Sequence, residues 1–296
     1  MQSEGPSTSS PEQRTLLRLS APLALATAAH TCRVDPRTRE TCSWYHGPWQ
    51  YFRLFGVVGD PLMHATMFAP VLLASARDGR HPRVLICGGA DYAVLDLVHA
   101  AYAQMSATLA VSMIDVCPTP LRLCEWYAHT RGFTLTTEVG DILAFDDRAA
   151  YDLICTHAFL GYFDAAERVL LARRWHALQR PGGRLITVQR LRPGQVGTAR
   201  FSVAQTTAFH AQVLAAAERE TDLGARTAAD FGAMADAFSA RFHSHPLQSR
   251  DEIDALLSDA GFHLETLAVH ASETASEAAP SLPGGALYAQ VVAVRN

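Results

Sequence analysis

The chain contains no lysine: all 25 of its basic residues are arginine. With its excess of alanine, this reads as the codon bias of a GC-rich bacterial genome. The absence also excludes chemistry, because a Schiff base and a phosphate-cradling P-loop both need a lysine amine. Cysteine is sparse and unpaired in sequence. Cys32, Cys42, Cys87, Cys117, Cys124 and Cys155 form no C-x-x-C motif, and three of them lie in apolar runs, which predicts reduced core thiols of a cytoplasmic protein. The 13 histidines show no H-E-x-x-H or comparable spacing, so no metal site is expected. There is no positive excess: a net charge of -4 leaves no electrostatic footprint for a polyanion, and nucleic acid is not an expected partner. No apolar stretch approaches the length of a membrane span, and the polar start MQSEGPSTSSPEQ has no apolar leader. What is present is a 296-residue chain, 49% hydrophobic, with enough apolar material for a sizeable core. A globular enzyme acting on a small molecule, as a monomer or homodimer, fits that composition.

Along the chain, residues 1–12 are rich in Ser, Pro and Glu and read as a disordered tail. Residues 13–82 read as a helical segment: apolar residues recur at helical spacing over Thr15–Ala29 and again over Pro61–Ala76. The stretch between them, SWYHGPWQYFRLFG, reads as an aromatic-rich loop, with Trp44, Tyr45, Trp49, Tyr51 and Phe52 inside nine residues. Such density serves either as a hydrophobic clamp or as one wall of a substrate pocket, with Tyr45, Trp49 and Tyr51 as the candidate contacts.

After Arg83 the pattern changes to continuous apolar runs of strand length separated by helical segments, at 84–88, 109–115, 135–141, 151–157 and 183–190. Continuous runs are expected of a parallel sheet covered on both faces, and their alternation with helices marks a βαβ series. Arg180-Pro181-Gly182-Gly183 ends the helix before the fifth run. Residues 198–246 hold two helix-like stretches, 202–219 and 226–242, and no strand, which reads as a cap inserted after the fifth strand. Ser249 and Glu252 then have the spacing of a capping box, and Gly261 stands at the expected helix stop. Strands at 262–269 and 287–296, joined by a polar loop ASETASEAAPSLPGG, imply an antiparallel terminal hairpin.

Four short motifs in this order resemble class I S-adenosylmethionine-dependent methyltransferases over residues 83–296. The first is V84-L-I-C-G-G-A-D-Y-A-V-L95, a strand ending in a glycine-rich turn. The second is Asp115 at the end of LAVSMID, about 24 residues after the turn. The third is Gly140-Asp141-Ile142, and the fourth is the strand Tyr151–His157. R-P-G-G before the fifth strand and L-L-x-x-A-G-F before the sixth complete the punctuation. The resemblance implies a Rossmann-like, mostly parallel seven-stranded sheet binding S-adenosylmethionine. Gly88, Gly89, Ala90 and Asp91 would meet its methionine part, Asp115 the ribose hydroxyls with Val116 beside it, Asp141 and Ile142 the adenine, and Thr156 the reacting end. The turn departs from the family pattern: Ile86 stands where an acid is usual, and Ala90 and Tyr92 stand where glycines follow. Asp91 is either a substitute carboxylate for the cofactor's ammonium or the N-cap of the next helix.

The implied activity is methyl transfer to a small-molecule hydroxyl or amine, as in natural-product metabolism. His157, the group there that titrates near neutrality, is either a general base or a loop histidine that donates a hydrogen bond. His64 and His210 are the other candidates to face the acceptor. GGADYAVL also resembles the turn of spermidine synthases, an aminopropyl-transferring branch of the fold, but Cys155-Thr156-His157-Ala158 offers none of the carboxylates a polyamine needs. A methyltransferase-fold protein that no longer transfers methyl groups is the third reading.

Overall fold

The computed structural model describes residues 10–35, 38–78, 82–220, 222–271 and 287–296. Most of the predicted tail and of the polar loop before the last strand lies outside them. Nine strands and nine α-helices are seen among the described residues. They run, in chain order, α1 (Pro11–Thr31), α2 (Ser43–Leu54), α3 (Ala65–Arg77), β1 (Arg83–Cys87), α4 (Ala93–Gln104), β2 (Ala110–Asp115), α5 (Pro118–Arg131), β3 (Leu135–Val139), β4 (Tyr151–His157), α6 (Ala165–Leu178), β5 (Gln179–Leu191), β6 (Ala199–Arg200), α7 (Val203–Arg219), α8 (Ala228–Arg241), β7 (His243–Ser244), α9 (Arg250–Asp259), β8 (Phe262–Ala271) and β9 (Leu287–Arg295). Seven strands form one sheet in the order β3-β2-β1-β4-β5-β9-β8. The first five are parallel, and β9 runs antiparallel to both β5 and β8. This is the expected Rossmann-like sheet with its antiparallel terminal pair.

Because successive side chains of a strand point to opposite faces, β1 feeds two cores. Val84 and Ile86 pack with Phe68, Val98, Tyr102 and Tyr127 on the face covered by α3, α4 and α5. Leu85 and Cys87 pack with Leu171, Trp175 and Ile253 on the face covered by α6 and α9. Burial on both faces is why β1 is apolar at each position from Val84 to Cys87.

Four sequence expectations are corrected. The tail is shorter than predicted, since Ser10 caps α1 in a full capping box with Gln13 and the helix starts at Pro11. The aromatic stretch is not a loop but helix α2, in spite of Gly47 and Pro48. A Cβ at Gly47 would meet Leu25 Cδ1 at 3.1 Å, so the missing side chain lets α2 cross α1 closely, and tertiary packing overrides propensity. The cap does contain strands: β6 and β7 pair as a short antiparallel ribbon at its base, too brief to carry a sequence pattern. At α9 only half of the capping box forms. Ser249 Oγ accepts from the Glu252 amide at 3.2 Å, while the Glu252 carboxylate instead takes the Gln248 amide at 2.7 Å and Arg168 at 2.9 Å.

Helices α1 and α2 join α7 and α8 in a third apolar cluster, made largely of rings. Phe52, Phe209, Phe231 and Phe238 are fully buried there, with Tyr51 and Trp49 against them. These four helices form a roof beside the sheet.

Candidate functional site

The site begins where β1 stops. Gly88 takes φ +67, a left-handed conformation that favours glycine, and a Cβ there would run into the Phe159 ring. Its amide donates to the Ile114 carbonyl at 2.9 Å, which ties the turn to the neighbouring strand. Gly89 donates its amide to Asp115 Oδ2 at 3.1 Å, and the Cys117 amide reaches Oδ1 at 2.7 Å. Two backbone donors therefore fix the Asp115 carboxylate across the ends of β1 and β2. A carboxylate has about four lone-pair directions, so two stay open for further donors. Burial raises this carboxyl to about 6, against the opposing pull of His46 and of the two amides. Val116, next in sequence, is exposed. The end of β3 joins the same edge, with the Gly140 amide on the Asp115 carbonyl at 3.0 Å. Beyond it Asp141 is exposed and accepts from the Leu143 amide at 2.9 Å, while Ile142 is buried.

Asp91 is 5% exposed and has two partners. Its Oδ1 accepts from the Ala93 amide at 2.7 Å, a turn one residue ahead of the N-cap, which is Tyr92 and not Asp91 as the capping reading expected, and its Oδ2 takes Arg53 at 2.6 Å. Burial raises the Asp91 carboxyl and Arg53 opposes the rise. Arg53, from the last turn of α2, also holds Asp60 at 2.7 Å and lies over the Tyr92 ring. Sequence reasoning missed this residue. Its signal was a lone charge inside the apolar run Tyr51–Phe55, since a buried charge must be paired.

At the end of β4, Thr156 Oγ1 and His157 Nε2 are buried without a hydrogen-bond partner among the described residues. The His157 ring lies 5.3 Å from that of His64, which in turn meets Tyr288 edge-on at 4.7 Å. Both imidazoles are held neutral: His157 is lowered to about 3 by burial, then His64 and Arg53, and His64 to about 4 mainly by burial. Ala158 follows with φ +51, uncommon for a residue with a Cβ. This kink turns the chain so that Phe159 covers Gly88, and Gln189 secures it by accepting the Leu160 amide at 3.1 Å. Phe159, Ala158 and Gln189 were also missed, and nothing in the sequence singles them out.

The roof reaches this edge through Tyr45. Its phenol meets that of Tyr162 at 2.6 Å, and its ring stacks on Trp49 at 5.1 Å. Burial raises the Tyr45 phenol, with Tyr162, Asp91 and Asp115 adding to it. Tyr51 and His210 make their contacts inside the roof. Tyr51 packs on Phe231 at 4.7 Å, and His210 Nδ1 pairs with Asp236 at 2.7 Å on the neighbouring helix. Ala90 is half-buried in the turn. An open cleft of about 400 Å³ lies elsewhere, between α1, α2 and α8 around Trp44 and Met234.

A Rossmann-like sheet in this strand order, a left-handed glycine at the end of β1 and an anchored carboxylate at the end of β2 together define one fold. The chain has the fold of class I methyltransferases. Solved structures with that fold align over most of it. One is a 1,6-didemethyltoxoflavin N1-methyltransferase from Burkholderia thailandensis, bound to its substrate and S-adenosylhomocysteine. It shares 15% identity at a TM-score of 0.52, covering 99% of this chain and 93% of that one. Another, from Galdieria sulphuraria, is a proposed sarcosine dimethylglycine methyltransferase, at 10% identity and a TM-score of 0.52, covering 83% and 97%. No protein-family model and no curated protein sequence matches the chain. Among the described residues no helix is long and apolar enough to cross a membrane.

Proposed function

We propose that this methyltransferase-fold chain binds S-adenosylmethionine and transfers its methyl group to a small, partly apolar acceptor bearing a hydroxyl or amine. The observation that carries the reading is the Asp115 carboxylate, fixed by the amides of Gly89 and Cys117 with its remaining lone pairs free for two vicinal hydroxyls. Gly88 and Gly89 would admit the methionine part, Val116 and Ile142 would flank the adenine with Asp141 at its edge, and the unpartnered Thr156 hydroxyl would face the reacting end. When bound, the cofactor supplies a methyl group already activated on a sulfonium. The residues of the chain need only hold the acceptor in line and keep water out. Tyr45, Trp49, Phe159 and Tyr162 offer that apolar enclosure. A neutral imidazole near 3 is a poor proton acceptor at physiological pH, so His157 serves better as a hydrogen-bonding group that orients the acceptor.

Titration calorimetry with S-adenosylhomocysteine tests the reading. Asp115→Ala should weaken binding by about 1.5 to 3 kcal/mol, the scale of lost hydrogen bonds to a charged group. Unchanged affinity in that variant removes the ribose assignment. Binding without formation of S-adenosylhomocysteine from S-adenosylmethionine, across hydroxyl and amine acceptors, leaves a binding module in place of an enzyme.

A further inference from the structure

Three of the six cysteines converge on one point outside the strand-end site. Cys42 Sγ lies 3.4 Å from Cys117 Sγ, which lies 3.9 Å from Cys32 Sγ, and all three sulfurs fall within 4.8 Å of one another. They come from separate elements. Cys32 is the C-cap of α1, Cys42 the N-cap of α2 and Cys117 the N-cap of α5. The chain between Cys32 and Cys42 folds back on itself, with the Cys42 amide on the Arg33 carbonyl at 3.3 Å and Val34 bridged to Thr41, which brings the two thiols side by side.

His46 stands near them, though its ring nitrogens do not lie within 4.8 Å of all three sulfurs. The His46 amide donates to the Cys42 carbonyl at 3.1 Å, one helical turn on, so both side chains occupy the same face of α2. The His46 ring is 8% exposed and lies against the Cys42 and Cys117 thiols, yet its Nδ1 has no hydrogen-bond partner among the described residues. A buried polar atom without a partner calls for a ligand. Behind the sulfurs, the Thr119 hydroxyl lies 3.1 Å from Cys32 Sγ and 2.9 Å from the Thr31 hydroxyl, as an outer layer that hydrogen-bonds a metal thiolate would.

We infer that Cys32, Cys42 and Cys117 form a zinc site, which His46 completes as a Cys₃His tetrahedron when its ring moves in toward the three sulfurs on binding. Zinc binds thiolates at about 2.3 Å in a tetrahedron, which puts its sulfurs about 3.8 Å apart, and the separations here fall on both sides of that value. Three soft sulfurs and one imidazole select zinc over magnesium or calcium, which prefer oxygen. Each thiol gives up its proton to solvent as the ion binds, and no electron changes hands. With four protein ligands the ion has no open position, so its role is structural: it pins α1 and α2 to the turn after β2. The inference does not rest on the proposed methyl transfer, although the Cys117 amide also anchors Asp115.

The test is the metal content of the full chain, expressed with zinc in the medium and purified without chelators. Wild type should carry roughly one zinc per chain, and Cys42→Ser less than about a tenth of that. Cys124→Ala, which removes a buried thiol outside the cluster, should keep the zinc. If Cys42→Ser does not fold, cobalt decides. Wild type grown with cobalt should show sulfur-to-cobalt charge transfer and the intense visible bands of a tetrahedral site, and His46→Ala should shift those bands. Wild-type protein that holds no zinc and gives no tetrahedral cobalt spectrum overturns the inference. So does a disulfide between any two of the three cysteines in freshly purified protein.

Discussion

Beneath the roof, the sheet is packed from aliphatic side chains of adjacent strands, with Val84 and Ile86 on one face and Leu85, Ile154 and Leu185 on the other. The roof is packed from rings supplied by two distant stretches, Tyr51 and Phe52 from α2 against Phe209, Phe231 and Phe238 from α7 and α8. Aliphatic packing asks mainly for the right period and volume, and many sequences meet that demand. This is how structures only 15% and 10% identical share the sheet. Rings prefer offset or edge-to-face contacts with particular partners, so the roof depends more on which residue stands where. The sheet is the generic half of the molecule and the roof the individual one.

The sharpest way to break this comparison is Phe238→Ala. That ring contacts Trp44, Tyr45, Trp49, Phe52, Phe201, Phe209 and Phe242, and its loss should destabilise the protein by about 3 to 5 kcal/mol in denaturant unfolding. Affinity for S-adenosylhomocysteine under native conditions should stay near wild type. A parallel loss of both would mean that roof and sheet are one unit. Next comes the joint between them. Arg53→Met leaves Asp91 buried and unpaired and should lower stability by about 3 kcal/mol, and adding Asp91→Asn should recover part of it. No recovery in the double variant would show that the pair is not what holds α2 to the glycine turn.

A pH-dependent effect comes from the two imidazoles at this joint. Their folded values of about 3 and about 4 lie below the ordinary 6.5, so the unfolded chain binds protons that the folded one refuses. Stability present above about pH 6.5 should therefore fall as the pH drops toward 4, by up to about 3 kcal/mol for each imidazole. His64 also faces Asp60 and His270, and His157 faces Arg53, so His64→Asn should flatten the slope in part. Denaturant midpoints across that window measure it, and an identical slope in the variant would assign the acid lability to other groups. By the same logic His64 and His157 should add no acid limb to turnover near the ordinary imidazole value, and a limb near 6 would belong to Asp115. The mildest change is Tyr45→Phe, which breaks the phenol pair with the half-exposed Tyr162. It should cost about 1 kcal/mol and leave cofactor affinity unchanged.

What could be read from the residues follows the same division. β1, β2, β4 and β5 were legible as largely apolar runs between helical segments, and α6 by the R-P-G-G that follows it. Helix α2 was not, since Gly47 and Pro48 signal a loop until α1 is known to cross there. Asp115 was legible by its place at a strand end. Its two amide donors were not, because Gly89 and Cys117 are far apart in the chain. The thiol cluster was hidden for the same reason: Cys32, Cys42 and Cys117 show no ligand spacing until α1, α2 and α5 meet. Glu252 announced a capping box and instead bonds Arg168, an outcome that only the packing of α6 against α9 decides.

Strand β9 carries a consequence for how the molecule is made. Of the described strands it is the last to leave the ribosome, yet it lies between β5 and β8, and its antiparallel ladder with β5 runs from Leu287 to Val294. Until it arrives, β5 and β8 each present a row of unpaired amides and carbonyls, the kind of edge that recruits other chains. The nascent protein can gather β1 to β5 and their helices, but it cannot complete the sheet before β9 has emerged. The interval before β9 inserts between β5 and β8 is therefore when aggregation competes most strongly with folding.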